Sequence, residues 1–114
     1  MRLLATLAFA LALAQPAAAH HGWGSYDADK PMTIEGVIET IKLENPHGEM
    51  TVQLEGALWL ITLAPLTRMN NRGATADIVA AGKTIKAYGY PKRDGIPEIR
   101  AEWIEIDGQH FELR

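Results

Sequence analysis

The chain has 114 residues, with 11 Lys and Arg against 14 Asp and Glu, a formal charge of −3, and no cysteine. That length supports one modest core, and the missing cysteines exclude a disulfide framework and any thiolate metal site. The negative balance argues against nucleic acid, which is bound through clustered Lys and Arg.

The first predicted element is a leader. Met1 and Arg2 precede an apolar run over residues 3–14, broken by Gln15 and Pro16. A membrane-spanning helix needs about 18 or more apolar residues, so the run is too short to span and has the length of a secretion-signal h-region. Ala17 and Ala19 occupy positions −3 and −1 for a cut before His20, whereas neighbouring cuts place Pro16 or Gln15 at −3. No cysteine is present for lipid attachment. The expectation is a secretory signal peptide over residues 1–19. A bacterial periplasmic or secreted domain then follows over residues 20–114, with an N-terminal arm over residues 20–31 and no membrane span.

After Pro31 comes a long extended run, "MTIEGVIETIKLENPHG". Ile34 and Ile38 fall on one face of it, Ile41 and Leu43 on the other. A strand that switches its inward face is bent or bulged, and Gly36 is the expected place. "EMTVQLEGALWLITL" reads as a hairpin turning at Glu55-Gly56. Next, Pro65 opens a short helix that Gly73 ends, and Thr75 is expected to cap a second short helix closed by Gly82. Two further strands follow, and Asp107-Gly108 is a type I′ signal that folds His110 and Phe111 back as an edge strand.

A strand, a hairpin, a short helix and two more strands make the order of an all-β, OB-like five-stranded barrel, with the helix between strands three and four and a C-terminal hairpin arm. A small open β-sandwich is the alternative. Trp59 and Trp103 are expected in the core, and Trp23 on the arm packs it onto the barrel or lines a ligand-binding groove.

The candidate chemistry lies in four histidines, His20, His21, His47 and His110. If His20 becomes residue one, its α-amino nitrogen and Nδ1 can close a six-membered chelate on one metal. His21 adds a second imidazole. Nitrogen-rich tetragonal sites suit Cu(II), and at neutral pH copper competes with the α-amine proton, pKa about 7.7 to 8.0, by less than about tenfold. In "ENPHGEM", Asn45-Pro46 ends a strand and His47 sits on a turn at the barrel mouth, where a rigid sheet holds ligand residues. Glu44, Glu49 and Met50 are nearby as supporting or soft ligands. The plain alternative is that His-His is the polar start of a chain and His47 a bystander on its turn. His110, beside Phe111, reads as structural or exposed.

The segments "HHGWGSYD", "MTIEGVI", "ENPHG", "RMNNRG", "AAGKTIKAYGYP" and "AEWIEIDG", in this order, resemble a group of small exported bacterial proteins classed as a domain of unknown function. Its distinctive parts are the paired histidines, here His20 and His21, and an Asn-Pro-His triplet, here Asn45, Pro46 and His47. The resemblance implies a periplasmic setting and an OB-like fold, and supplies no activity.

No Gly-x-Ser-x-Gly elbow, phosphate-binding glycine loop or His-Glu-x-x-His helix occurs, so the chain reads as a binding protein and not an enzyme. The first reading is a periplasmic copper-binding protein that buffers or transfers a copper ion through His20, His21 and His47, acting as a monomer with a candidate envelope protein partner. The alternative is a metal-free OB-like module that holds a small molecule, peptide or envelope partner near Trp23 and Met50. The copper reading requires the arm to fold back on His47. About eleven residues precede Pro31, and at about 3.3 Å each they reach roughly 35 Å.

Overall fold

The structure, a computed structural model, describes residues 23–114, so the expected leader and both His20 and His21 lie outside the described residues. In chain order the elements are β1 (Met32–Lys42), β2 (Glu49–Leu54), β3 (Ala57–Thr62), α1 (Leu66–Asn71), β4 (Thr84–Pro91), β5 (Glu98–Ile106) and β6 (Gln109–Glu112). β1 is the longest because it serves two partners. It pairs with β4 through Val37 and with β2 from Ile38 onward. A parallel pairing of Leu60 with Glu98 and Thr62 with Arg100 joins β3 to β5 and closes a five-strand ring, with β6 outside it on β5. This is the OB-type barrel expected from the element order, and the β3–β5 closure distinguishes it from an open sandwich.

Alternating residues fill the barrel. Ile34, Ile38, Met50, Val52, Ile61, Ile85, Ile99, Ile104 and Ile106 are each at most 1% exposed, and Met69 of α1 joins the same core. Both two-residue turns are of the primed kind, which was expected for Asp107-Gly108. Glu55 and Gly56 have φ of 51° and 80°, and Asp107 and Gly108 have 52° and 75°.

Three expectations are corrected. The register shift in β1 lies between Ile38 and Thr40, so the inward face switches there and not at Gly36. Gly36 serves a different need: a Cβ on it would stand 2.6 Å from Val52 Cγ1, so its bare backbone makes room for a core side chain where the strand curls. The second short helix is a single turn. The Thr75 carbonyl accepts from the Ile78 and Val79 amides, and no further turn can be added because Gly82 and Lys83 are bonded to the backbone of Ile38. Trp103 is the third. A register shift between Tyr88 and Gly89 sets Trp103 opposite Tyr88 and Ala101 opposite Gly89, leaving Glu102 as the extra residue on β5. Ala101 and Ile104 point inward on either side of this bulge, and Trp103 lies half-buried on the outer face.

Candidate functional site

His47 lies in the loop between β1 and β2, which is held from three sides. The Asn45 side-chain oxygen accepts from the Leu66 amide at the start of α1 at 3.1 Å. The Asn45–Pro46 peptide is cis. Gly48 exchanges backbone bonds with Leu63 and Ala64, each at 2.8 Å. Against this frame the His47 ring is half-buried, with Nδ1 4.0 Å from Glu49 Oε1. Nδ1 is enclosed and has no hydrogen-bond partner among the described residues. Nε2 is the ring nitrogen not enclosed in this way. At 4.0 Å the Glu49 carboxylate is the nearby acid but not a hydrogen-bond partner of Nδ1, so the pair lacks the bond that orients a metal-ligating imidazole.

The described part of the arm is tied to the barrel by Tyr26. Its backbone bridges Lys92, and Asp27 donates to the Pro91 carbonyl at 2.8 Å. Arg93 reaches back to the carbonyls of Gly24 and Ser25. The Tyr26 hydroxyl donates to the Glu98 carboxylate, which also accepts from Thr62 Oγ1 at 3.3 Å. Burial, and then the Glu98 carboxylate, push the Tyr26 phenol up to about 12.

Trp23 is fixed by cations. The Arg100 guanidinium lies 4.2 Å from its ring centre and that of Arg114 5.2 Å, while Tyr90 meets it edge-on at 6.1 Å. From Trp23 the aromatic contacts continue over the outer face of β4, β5 and β6. Tyr90 meets Tyr88 at 6.1 Å, Tyr88 stacks on Trp103 at 5.3 Å, and Trp103 meets His110 at 4.8 Å. The Tyr90 hydroxyl donates to Glu102, which pushes it up to about 12, with burial adding to the effect. His110 is held between Glu105 at 3.1 Å and Glu112 at 2.7 Å, and these carboxylates, Glu112 foremost, raise its pKa.

The register brings His47 and Trp23 to one side of the barrel. Glu49 pairs with Thr62, and Thr62 with Arg100. Glu49 and Arg100 lie on the outer face, because their neighbours Met50, Ile99 and Ala101 are buried, and Thr62 between them is 2% exposed and bonded to Glu98. With neighbouring strands about 4.8 Å apart, Arg100 beneath Trp23 is roughly 10 Å from the Glu49 that His47 faces.

Met50 is corrected: it is 0% exposed in the core and no soft ligand for His47. Trp23 packs the arm onto the barrel, one of the two roles expected of it. Among the described residues no three His, Asp or Glu side chains form a metal-holding group. Sequence reasoning missed the partners of Trp23. Arg100 and Arg114 are 77 and 91 positions further along, and no local pattern links them. The Asn45 cap on α1 was equally hidden, although an Asn before Pro signalled its turn.

No helix among the described residues is long and apolar enough to cross a membrane. The fold is similar to that of a chain in the crystal structure of the S. pombe Stn1–Ten1 complex, at a TM-score of 0.54 and 17% identity. The match covers 67% of this chain and 57% of that one, so this chain spans little more than half of the other's length. No curated protein matches. A family model described as a family of unknown function, DUF6152, matches residues 8–99, and the chain belongs to that family.

Proposed function

We propose that this protein is an exported, periplasmic copper-binding protein that buffers or passes on the ion, with His20, His21 and His47 as ligands. The observation that carries this reading is the docking of the arm. Three residue steps lead from His20 to Trp23, and at about 3.3 Å each they span about 10 Å. Trp23 is anchored over Arg100, roughly 10 Å from the residue that His47 faces, by the strand spacing. The span is comparable to the separation, which supports a site shared by the arm and His47. The enclosed Nδ1 of His47 beside Glu49 leaves Nε2 as its ligating atom. When bound, Cu(II) would be held by imidazole and amine nitrogens, a set that suits it above other divalent ions.

The test begins with the intact mass of the processed protein, which must start at His20. Copper titration should then give a visible d–d band. One residue added before His20 should break the terminal chelate, and His47→Ala should weaken binding without unfolding the barrel, while His110→Ala leaves binding unchanged. If the extended protein and His47→Ala both bind as the parent does, the site is wrong. The metal-free reading, a module that holds an envelope partner or small ligand, would then be the better account.

A further inference from the structure

Four of the five arginines in the described residues gather on one face of this acidic protein. Arg68 on α1 and Arg72 at its C-cap stand one turn apart, and both reach the end of the chain, Arg68 to the Leu113 carbonyl at 3.5 Å and Arg72 to the Arg114 oxygen at 2.9 Å. Arg114 and Arg100 flank Trp23 beside them. Only Arg114 has an acid partner, Glu102 at 3.3 Å. Arg68 and Arg100 form no ion pair among the described residues, and Arg72 is held at 2.9 Å to the oxygen of Arg114, the last residue described. Alongside α1 runs an open groove of about 370 Å³, lined by Pro65, Thr67, Arg68, Asn71 and Arg72. Its lining contains no carboxylate, and Thr67 and Asn71 add a hydroxyl and an amide to the two guanidinium forks.

Like charges repel, and an acidic chain has carboxylates enough to neutralise such a cluster. Here the fold sets one, Glu102, against Arg114 and places no Asp or Glu in the lining of the groove. Guanidinium is also the group that matches planar or tetrahedral oxyanions with paired hydrogen bonds, where lysine offers only a point charge. The groove is too small for a macromolecular ligand and has room for a compact one.

We propose that the α1 groove binds a small multivalent oxyanion, phosphate- or carboxylate-bearing, through Arg68 and Arg72, with Thr67 and Asn71 donating along its length and Arg100 and Arg114 adding to the positive field. This is independent of the copper site.

Calorimetric titration of the processed protein with pyrophosphate, and separately with citrate, tests it. One of the two should bind at a single site, and the tighter one assigns the class. Arg68→Gln and Arg72→Gln should each weaken binding about tenfold, the effect of one charge-assisted hydrogen bond. Asn71→Asp, which keeps both arginines and places a carboxylate in the groove, should also abolish it. Lys42→Gln and Lys86→Gln, on other faces, should leave it unchanged. The proposal is overturned if neither anion binds more tightly than chloride at equal ionic strength. It is equally overturned if Asn71→Asp, shown folded by circular dichroism, binds like the parent.

Discussion

Trp23→Ala is the most informative single change, because it separates the anchoring of the arm from the ligands themselves. Among the described residues the anchor nearest to His20 in sequence is the indole between Arg100 and Arg114. Without it the next backbone anchor is Ser25, whose carbonyl accepts from the Arg93 amide at 2.9 Å. The chain from anchor to His20 then grows from three residue steps to five, and its reach from about 10 Å to about 17 Å. The volume open to the terminal histidine rises with the cube of that reach. Its effective concentration at His47 therefore falls about fivefold, which corresponds to about 0.9 kcal/mol of copper affinity. Competition titration with a Cu(II) chelator on the processed protein reads this directly, with circular dichroism as the check on folding. A variant that binds copper within about twofold of the parent would refute the argument that the docked arm organises the site. A double-mutant cycle of Trp23→Ala with Arg100→Ala adds a test that needs no metal. Partly exposed cation–π pairs couple by about 0.5 to 1 kcal/mol, and zero coupling in urea denaturation would mean that the contact holds nothing.

Gly89→Ala should be severely destabilising, by roughly 3 kcal/mol or more, since its Cβ would lie 2.7 Å from the Arg100 carbonyl carbon and 2.9 Å from Ala101 Cα; denaturation midpoints compared with the parent check this. Tyr26→Phe, which leaves Glu98 without the phenol, should cost about 1 kcal/mol in urea denaturation. Tyr26 and Tyr90 should both resist ionisation until about pH 12 in an ultraviolet titration. Their folded pKa values exceed the unfolded value of about 10, so the stability they contribute is complete below pH 10 and is lost as pH rises toward 12. His110 follows the same sign at lower pH. Its raised pKa contributes stability that is present below about pH 6.5, the unfolded value, and fades as pH rises through the folded value. His110→Ala should flatten that part of the stability profile, and an unchanged profile would show that the two carboxylates do not hold the imidazolium.

What the sequence determined by itself were the features carried by neighbours a few residues apart. The Glu55-Gly56 and Asp107-Gly108 turns need left-handed backbone, and the residues that adopt it are visible as a pair. The alternation of Met50 and Val52, and of Ile61 and Leu63, names the inward face of a hairpin. The element order then leaves few ways to close a small barrel. Asn45-Pro46 marks a turn and sets His47 on it. Features made by residues far apart were legible only in the tertiary structure. The Trp103 side chain turned outward because the extra residue at Glu102 is defined by pairing with β4, and a bulge is a property of two strands that one strand does not reveal. Met50 was placed beside His47 by sequence distance, yet the pleat of β2 sends Glu49 outward toward His47 and its neighbour Met50 into the core. Trp23 became an anchor because closure of β3 on β5 sets Arg100 beside Thr62, and the return of the chain after β6 brings in Arg114. The four arginines were scattered over 47 positions until α1 packed against the end of the chain. Local propensity is read from a short window of residues, whereas a site is assembled by contacts between segments that share no window, and the barrel's closure is what brings those segments together.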